Sequence, residues 1–205
     1  MSARAVAVRR LGRSEPGLLR LAHVHRNAIP QGFLSTLSDT VLVRLYAALA
    51  AGPTSFVFVV ESGTELAGFI VGSTDTQATY RRVLLSEALQ LVFPLARSLM
   101  SVARIRRAME TLAYSSRMKR KTSLPSAEIL NFCVNDKDRR SGIGSALFEA
   151  LVREFRARGV SAIRIVTGSG QTEAHAFYRR RGAVEVDSMQ VHQVADSLVF
   201  RLERG

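Results

Sequence analysis

The chain has 205 residues, 47% hydrophobic and 22% charged, so it folds around a core rather than staying disordered. Its 29 Lys and Arg against 17 Asp and Glu leave a net charge of +12, which attracts anionic partners. The lone cysteine, Cys133, excludes an internal disulfide and every cysteine-rich zinc site, and four scattered histidines point to no metal.

The first ten residues hold no secretory apolar stretch. No apolar run approaches the roughly 20 residues that cross a bilayer. The cytoplasm is the expected compartment. The basic residues lack the aromatic interleaving that stacks bases, and no zinc-finger or RNP pattern occurs, so no nucleic-acid partner is expected.

In chain order, Ala5–Arg9 alternates as a short strand. Ser14 is a candidate N-cap for a helix with Pro16 in its first turn, and Leu18, Leu19, Ala22 and Ile29 form a partial apolar face. Ser38 caps a second helix that runs to about Ala51 on a stripe of Val41, Leu42, Leu45, Tyr46 and Leu49. Two strands, Ser55–Glu61 and Leu66–Gly72, flank the turn Ser62–Gly63 as a hairpin.

Residues 75–125 are apolar, helix-forming and arginine-rich, with Pro94 splitting them into two helices before a basic loop. Arg81, Arg82, Arg97, Arg104, Arg106 and Arg107 lie along this stretch. Three readings stand side by side: a helical wall of an acceptor site, a homodimer contact, and an interfacial helix on an anionic membrane surface.

A strand over Ala127–Val134 then leads into Arg139-Arg-Ser-Gly-Ile-Gly144. A helix follows with Leu147, Leu151, Val152 and Phe155 on one face and Gly159 closing it. The strand Ser161–Thr167, a short helix Glu173–Arg181 and two strands, Ala183–Val186 and Ser197–Leu202, complete the chain.

The glycine turn between strand and helix aims backbone N–H groups from about Arg140 to Ser145 at one point, where the helix dipole adds roughly half a positive charge. A diphosphate suits that point. Gly142 and Gly144 carry no side chain to obstruct it, and Arg139 and Arg140 add cationic charge. The dinucleotide fingerprint is excluded, because Leu147 stands where its third glycine belongs; no Walker A loop occurs either.

Taken together, Val134, Arg139-x-x-Gly142-x-Gly144 and Ala174-x-x-Phe177-Tyr178-x-x-x-Gly182-Ala183 resemble the GCN5-related N-acetyltransferase superfamily. The match is specific over residues 127–187 and rests on element order elsewhere. The resemblance implies an α/β (α+β) fold: a mixed, twisted sheet of six or seven strands flanked by helices, here one domain over 1–205 with a helical insertion at about 75–125. It implies acetyl-CoA as acyl donor and a primary amine as acceptor, attacked directly, without metal or acyl-enzyme.

It also implies roles. Phe132, Cys133 and Val134 would pair through their backbone with the pantetheine arm. Arg139, Arg140, Ser141, Gly142, Ile143, Gly144 and Ser145 would hold the diphosphate. Gln171 stands where the family often has an Asn toward the arm, one methylene longer. Tyr178 corresponds to the tyrosine that protonates the leaving thiolate; the bland alternative is a packing tyrosine. Glu128 is the candidate general base, with Glu61 and Asp75 as alternates; a strand-end charge is the bland alternative. Cys133 invites comparison with a nucleophile, against the commoner small core cysteine. A nucleotide-linked amino sugar is an acceptor that would suit the charge. A non-catalytic acetyl-CoA-binding protein is the alternative function.

Overall fold

The computed structural model describes residues 6–14, 16–30, 32, 34–85, 124–192 and 195–203. Most of the arginine-rich stretch expected as two helices and a basic loop, with Arg97, Arg104, Arg106 and Arg107, therefore lies outside the described residues.

Seven strands form one sheet: β1 (Val8–Arg10), β2 (Ser55–Ser62), β3 (Glu65–Ser73), β4 (Glu128–Val134), β5 (Ala162–Gly168), β6 (Val184–His192) and β7 (Ala195–Glu203). Their order is β1-β2-β3-β4-β5-β7-β6. Every pairing is antiparallel except that of β4 with β5. That single parallel step requires a crossover, which the helix α4 (Ile143–Ala157) supplies. The other helices are α1 (Gly17–Ala28), α2 (Asp39–Ala51), α3 (described over 76–85) and α5 (Thr172–Arg179).

Strand alternation builds two cores, one on each face of the sheet. Val57, Val59, Phe69 and Val71 meet Leu21, Ala22, Leu42, Tyr46 and Leu49 of α1 and α2, with Val83 of α3. Phe56, Ile70, Ile163, Ile165 and Phe200 meet Leu147, Leu151 and Phe155 of α4 and Tyr178 of α5. With both faces covered, β3 reads as an almost unbroken buried run rather than an alternating one.

Among the described residues the predicted strands and helices are present with shifted ends. The largest shift is at β6, which runs to His192 rather than Val186. At α1, Pro16 rather than Ser14 occupies the cap position and no side chain caps the helix. The buried face is Leu18, Leu21, Ala22, Val24 and His25, while Leu19, expected inward, lies about 100° round the helix from Leu18 and is 48% exposed. At α2 the Ser38 hydroxyl accepts from Val41 N at 3.4 Å, as its position predicts.

Candidate active site

β4 and β5 are each seven residues long but pair at only two rungs, Glu128↔Arg164 and Ile129↔Ile165. Beyond Ile129 the outer flank of β4 stays paired to β3 as far as Val134. Beyond Ile165 the outer flank of β5 stays paired to β7 as far as Gly168. Residues 130–134 and 166–168 thus face each other across an opening rather than a ladder. A register irregularity in the β3–β4 pairing, where Val71↔Asn131 is followed by Gly72↔Ile129, sits where the pairing to β5 stops. A bulge bends its strand and increases its twist, which is a sufficient cause for the divergence.

Both strands point the same way, so the turn after Val134 and the segment after Gly168 close over the open end of this wedge. Arg140 (φ 60°) and Gly142 (φ 88°) are left-handed, and Arg140 is the non-glycine residue with positive φ among those described. The N–H groups of Arg140, Ser141, Gly142, Ile143, Gly144 and Ser145 donate to no backbone carbonyl among the described residues; the first such bond runs from Ala146 N to Gly142 O at 3.0 Å. Six consecutive donors at a helix N-terminus form a cradle for an anion. Gly142 is required by its φ. Gly144 is not required by the protein's own packing, since a Cβ there would meet Phe132, Phe177 and Val134 at an ordinary 3.6–3.8 Å.

The cations around the cradle differ in their partners. Arg139 lies 2.9 Å from Asp136 and 3.7 Å from Glu173, and Arg140 lies 3.5 Å from the same Glu173. Arg181, in the turn after α5, donates from Nη2 to Ser145 Oγ at 2.6 Å and sits 3.6 Å over the Phe177 ring. Desolvation holds its guanidinium pKa below the ordinary value, with Glu149 opposing. Arg181 did not emerge from sequence reasoning; its i,i+4 spacing from Phe177 was the available signal.

Tyr178 is 4% exposed, its ring surrounded by Phe132, Phe148, Phe177 and Phe200 at centroid distances of 5.5–6.5 Å. Its hydroxyl makes no hydrogen bond among the described residues. Burial, and then the neighbouring Cys133, push its pKa up, so the phenol keeps its proton at neutral pH. Burial pushes the Cys133 thiol up to about 12, against the pull of Arg139. A nucleophilic thiolate needs the opposite shift, so Cys133 behaves as the small core residue. Gln171 is exposed at the cap of α5, its N–H on Gly168 O at 3.0 Å. His175, another residue with no role assigned from sequence, places Nε2 3.0 Å from the same carbonyl and so ties α5 to the open end of β5.

Glu128 is placed differently from expectation. It is 4% exposed, and its Oε2 accepts from Arg164 Nη2 at 2.5 Å and Thr76 Oγ1 at 3.0 Å. The carboxylate is committed to a buried ion pair at the closed end of the wedge, which disfavours it as the expected base. Of the alternates, Glu61 is held by Arg9 and Arg20, and Asp75 Oδ1 accepts from Ala78 N in the first turn of α3. Among the described residues no group of three or more His, Cys, Asp or Glu could hold a metal ion, and no helix is long and apolar enough to cross a membrane.

The chain is thus an α/β protein whose open, seven-stranded mixed sheet has one splayed parallel pair, with a run of open main-chain donors at the mouth of the splay. The acetyltransferase (GNAT) family model matches residues 26–183, and the chain belongs to that family. Solved structures agree in fold. Ard1 from Thermoplasma volcanium superposes with a TM-score of 0.59 at 16% identity, covering 98% of this chain and 98% of that one. The ribosomal-protein-S18-alanine N-acetyltransferase of Escherichia coli gives 0.60 at 15% identity over 97% and 94%. The PaiA N-acetyltransferase of Thermoplasma acidophilum, solved in complex with coenzyme A, gives 0.58 at 12% over 98% and 100%. No curated protein matches the chain in sequence.

Proposed function

We propose that this chain is an acetyl-CoA-dependent N-acetyltransferase that transfers the acetyl group to a primary amine by direct attack. The observation that carries this assignment is the two-rung pairing of β4 and β5, opening toward six N–H groups at residues 140–145 that donate to no backbone carbonyl among the described residues. The free edge at Phe132, Cys133 and Val134 offers backbone groups to the amides of an extended arm, as another strand would. The cradle and Arg139 and Arg140 fit a diphosphate at the wedge mouth. Acetyl-CoA would supply the acyl group as a thioester with a good leaving thiolate.

The protein's own part is alignment and charge placement. An N–H on the open edge of β4 can polarise the thioester carbonyl as negative charge develops on its oxygen. The C–N bond forms as the C–S bond breaks, the leaving sulfur takes a proton from the Tyr178 hydroxyl, and the proton that the attacking amine gives up passes through water, which returns one to the Tyr178 oxygen. Glu128 and Arg164 brace the closed end of the wedge. The net charge of +12 favours an anionic acceptor such as a nucleotide-linked amino sugar.

A thiol-release assay with acetyl-CoA tests the assignment against amino sugars and their nucleotide-linked forms, polyamines, amino acids and peptides. Amine-dependent thiol release is expected. Binding of acetyl-CoA with no release across the whole panel supports a non-catalytic binding protein instead, and acetylation confined to neutral or cationic amines defeats the anionic acceptor.

A further inference from the structure

We infer that Arg181 is a phosphate-clamping residue, placing its guanidinium on the diphosphate of the acyl donor through its anchorage on Ser145. This rests on the proposed use of acetyl-CoA and adds a contact contributed by the turn that follows α5, outside the glycine turn.

Three observations converge. The Arg181 Nη2–Ser145 Oγ bond of 2.6 Å fixes the guanidinium beside a residue whose N–H is one of the six open donors of the cradle. The guanidinium carbon lies 3.6 Å over the Phe177 ring centroid and 5.4 Å from that of Phe148, so the two rings confine it before any ligand arrives. Its contacts are with neutral groups: the Ser145 hydroxyl, the Phe177 carbonyl at 3.5 Å and the two rings.

The contrast with the turn's own arginines gives the inference its force. Arg139 and Arg140 face Glu173 and Asp136, so an arriving phosphate competes with carboxylates for them. Among the described residues no carboxylate lies within ion-pair distance of Arg181, whose fork has five donors and commits two of them to neutral acceptors. A half-buried cation with no carboxylate in ion-pair contact among the described residues, and only the longer-range pull of Glu149, gains most from a phosphoryl oxygen. Ser145 has a double part: its N–H belongs to the cradle and its hydroxyl aims the arginine.

Titration calorimetry of Arg181→Leu and Arg181→Gln against coenzyme A, dephospho-coenzyme A and pantetheine tests this. The expected result is an affinity about tenfold lower for coenzyme A and for dephospho-coenzyme A alike, the scale of one charge-assisted hydrogen bond. Affinity for pantetheine, which has no phosphoryl group, should move less than twofold. Ser145→Ala should reproduce part of the loss by untethering the arginine. Unchanged affinity for all three ligands overturns the inference, as does an equal loss for pantetheine. A loss for coenzyme A that is absent with dephospho-coenzyme A also overturns it, by moving the contact to the ribose phosphate. If the unsubstituted protein binds no coenzyme A, the failure belongs to the proposed function and not to Arg181.

Discussion

Arg164 Nη2 lies 2.5 Å from Glu128 Oε2, across the first of the two rungs that join β4 to β5. Both residues are 4% exposed, and one rung later the strands part. A charge pair therefore locks the closed end of the wedge on the face of the sheet that carries α1, α2 and α3. Thr76 of α3 donates to the same carboxylate, which couples the start of α3 to this end of β4.

Breaking this pair on one side should be costly. Glu128→Gln leaves a buried guanidinium without its counter-charge, and a loss of about 3 kcal/mol is expected in urea denaturation. The double substitution Glu128→Gln with Arg164→Met should recover much of that loss. If Glu128 instead serves as a base, the single substitution would abolish turnover while leaving the denaturation midpoint in place.

Tyr178→Phe removes a hydroxyl that makes no hydrogen bond among the described residues from a side chain that otherwise stays packed, so the folded protein should be about as stable as before. Thiol release should fall by up to about 10²-fold, the lower range for loss of a general acid. Affinity for coenzyme A should hold. Unchanged turnover would return Tyr178 to a packing role.

His25 gives the stability a defined pH dependence. It is 1% exposed, its Nδ1 is 2.6 Å from the Tyr46 hydroxyl, and burial, with Arg26 adding, lowers its pKa from 6.5 to about 4. The unfolded chain takes up a proton below about pH 6.5 that the folded chain refuses until about pH 4. Stability from this residue is thus complete above pH 6.5 and drains away as the pH falls toward 4, by about 3 kcal/mol in all. Urea denaturation of the protein and of His25→Phe at pH 7.5, 5.5 and 4.5 should show a steeper decline in the unsubstituted protein. Parallel declines would contradict this.

The two glycines of the turn should separate by function. Gly142→Ala forces a left-handed residue to carry a Cβ and should cost roughly 1 kcal/mol of stability. Gly144→Ala adds a Cβ in ordinary contact with its neighbours, so the melting temperature should hold while coenzyme A affinity falls. Melting curves beside calorimetry check both; unchanged affinity in Gly144→Ala would show that no ligand approaches that carbon.

Much of this was legible in the sequence because local signals agreed with the global fold. Ser38, the Ser62–Gly63 turn and Gly159 fall where capping and turn chemistry put them, and the glycine turn follows its strand as expected. What stayed hidden depends on contacts between distant residues. The pairing of Glu128 with Arg164 spans 36 positions, so no local pattern separates a strand-end carboxylate free to act as a base from one committed to an ion pair. The β4 irregularity leaves no composition signal in Ile129-Leu-Asn131. Leu19 points outward because the buried stripe of α1 runs through Leu18, Leu21, Ala22 and His25, and no local pattern says which of two adjacent leucines faces the sheet.

In the proposed function the main-chain N–H groups of residues 140–145 grip the diphosphate of coenzyme A. Amide chemical shifts followed by NMR during a coenzyme A titration test it most directly. Large, saturating shifts of Ser141, Gly142, Ile143 and Gly144, with smaller ones along Phe132–Val134, are the predicted result. Saturable binding that leaves these amides still and moves another surface would contradict it.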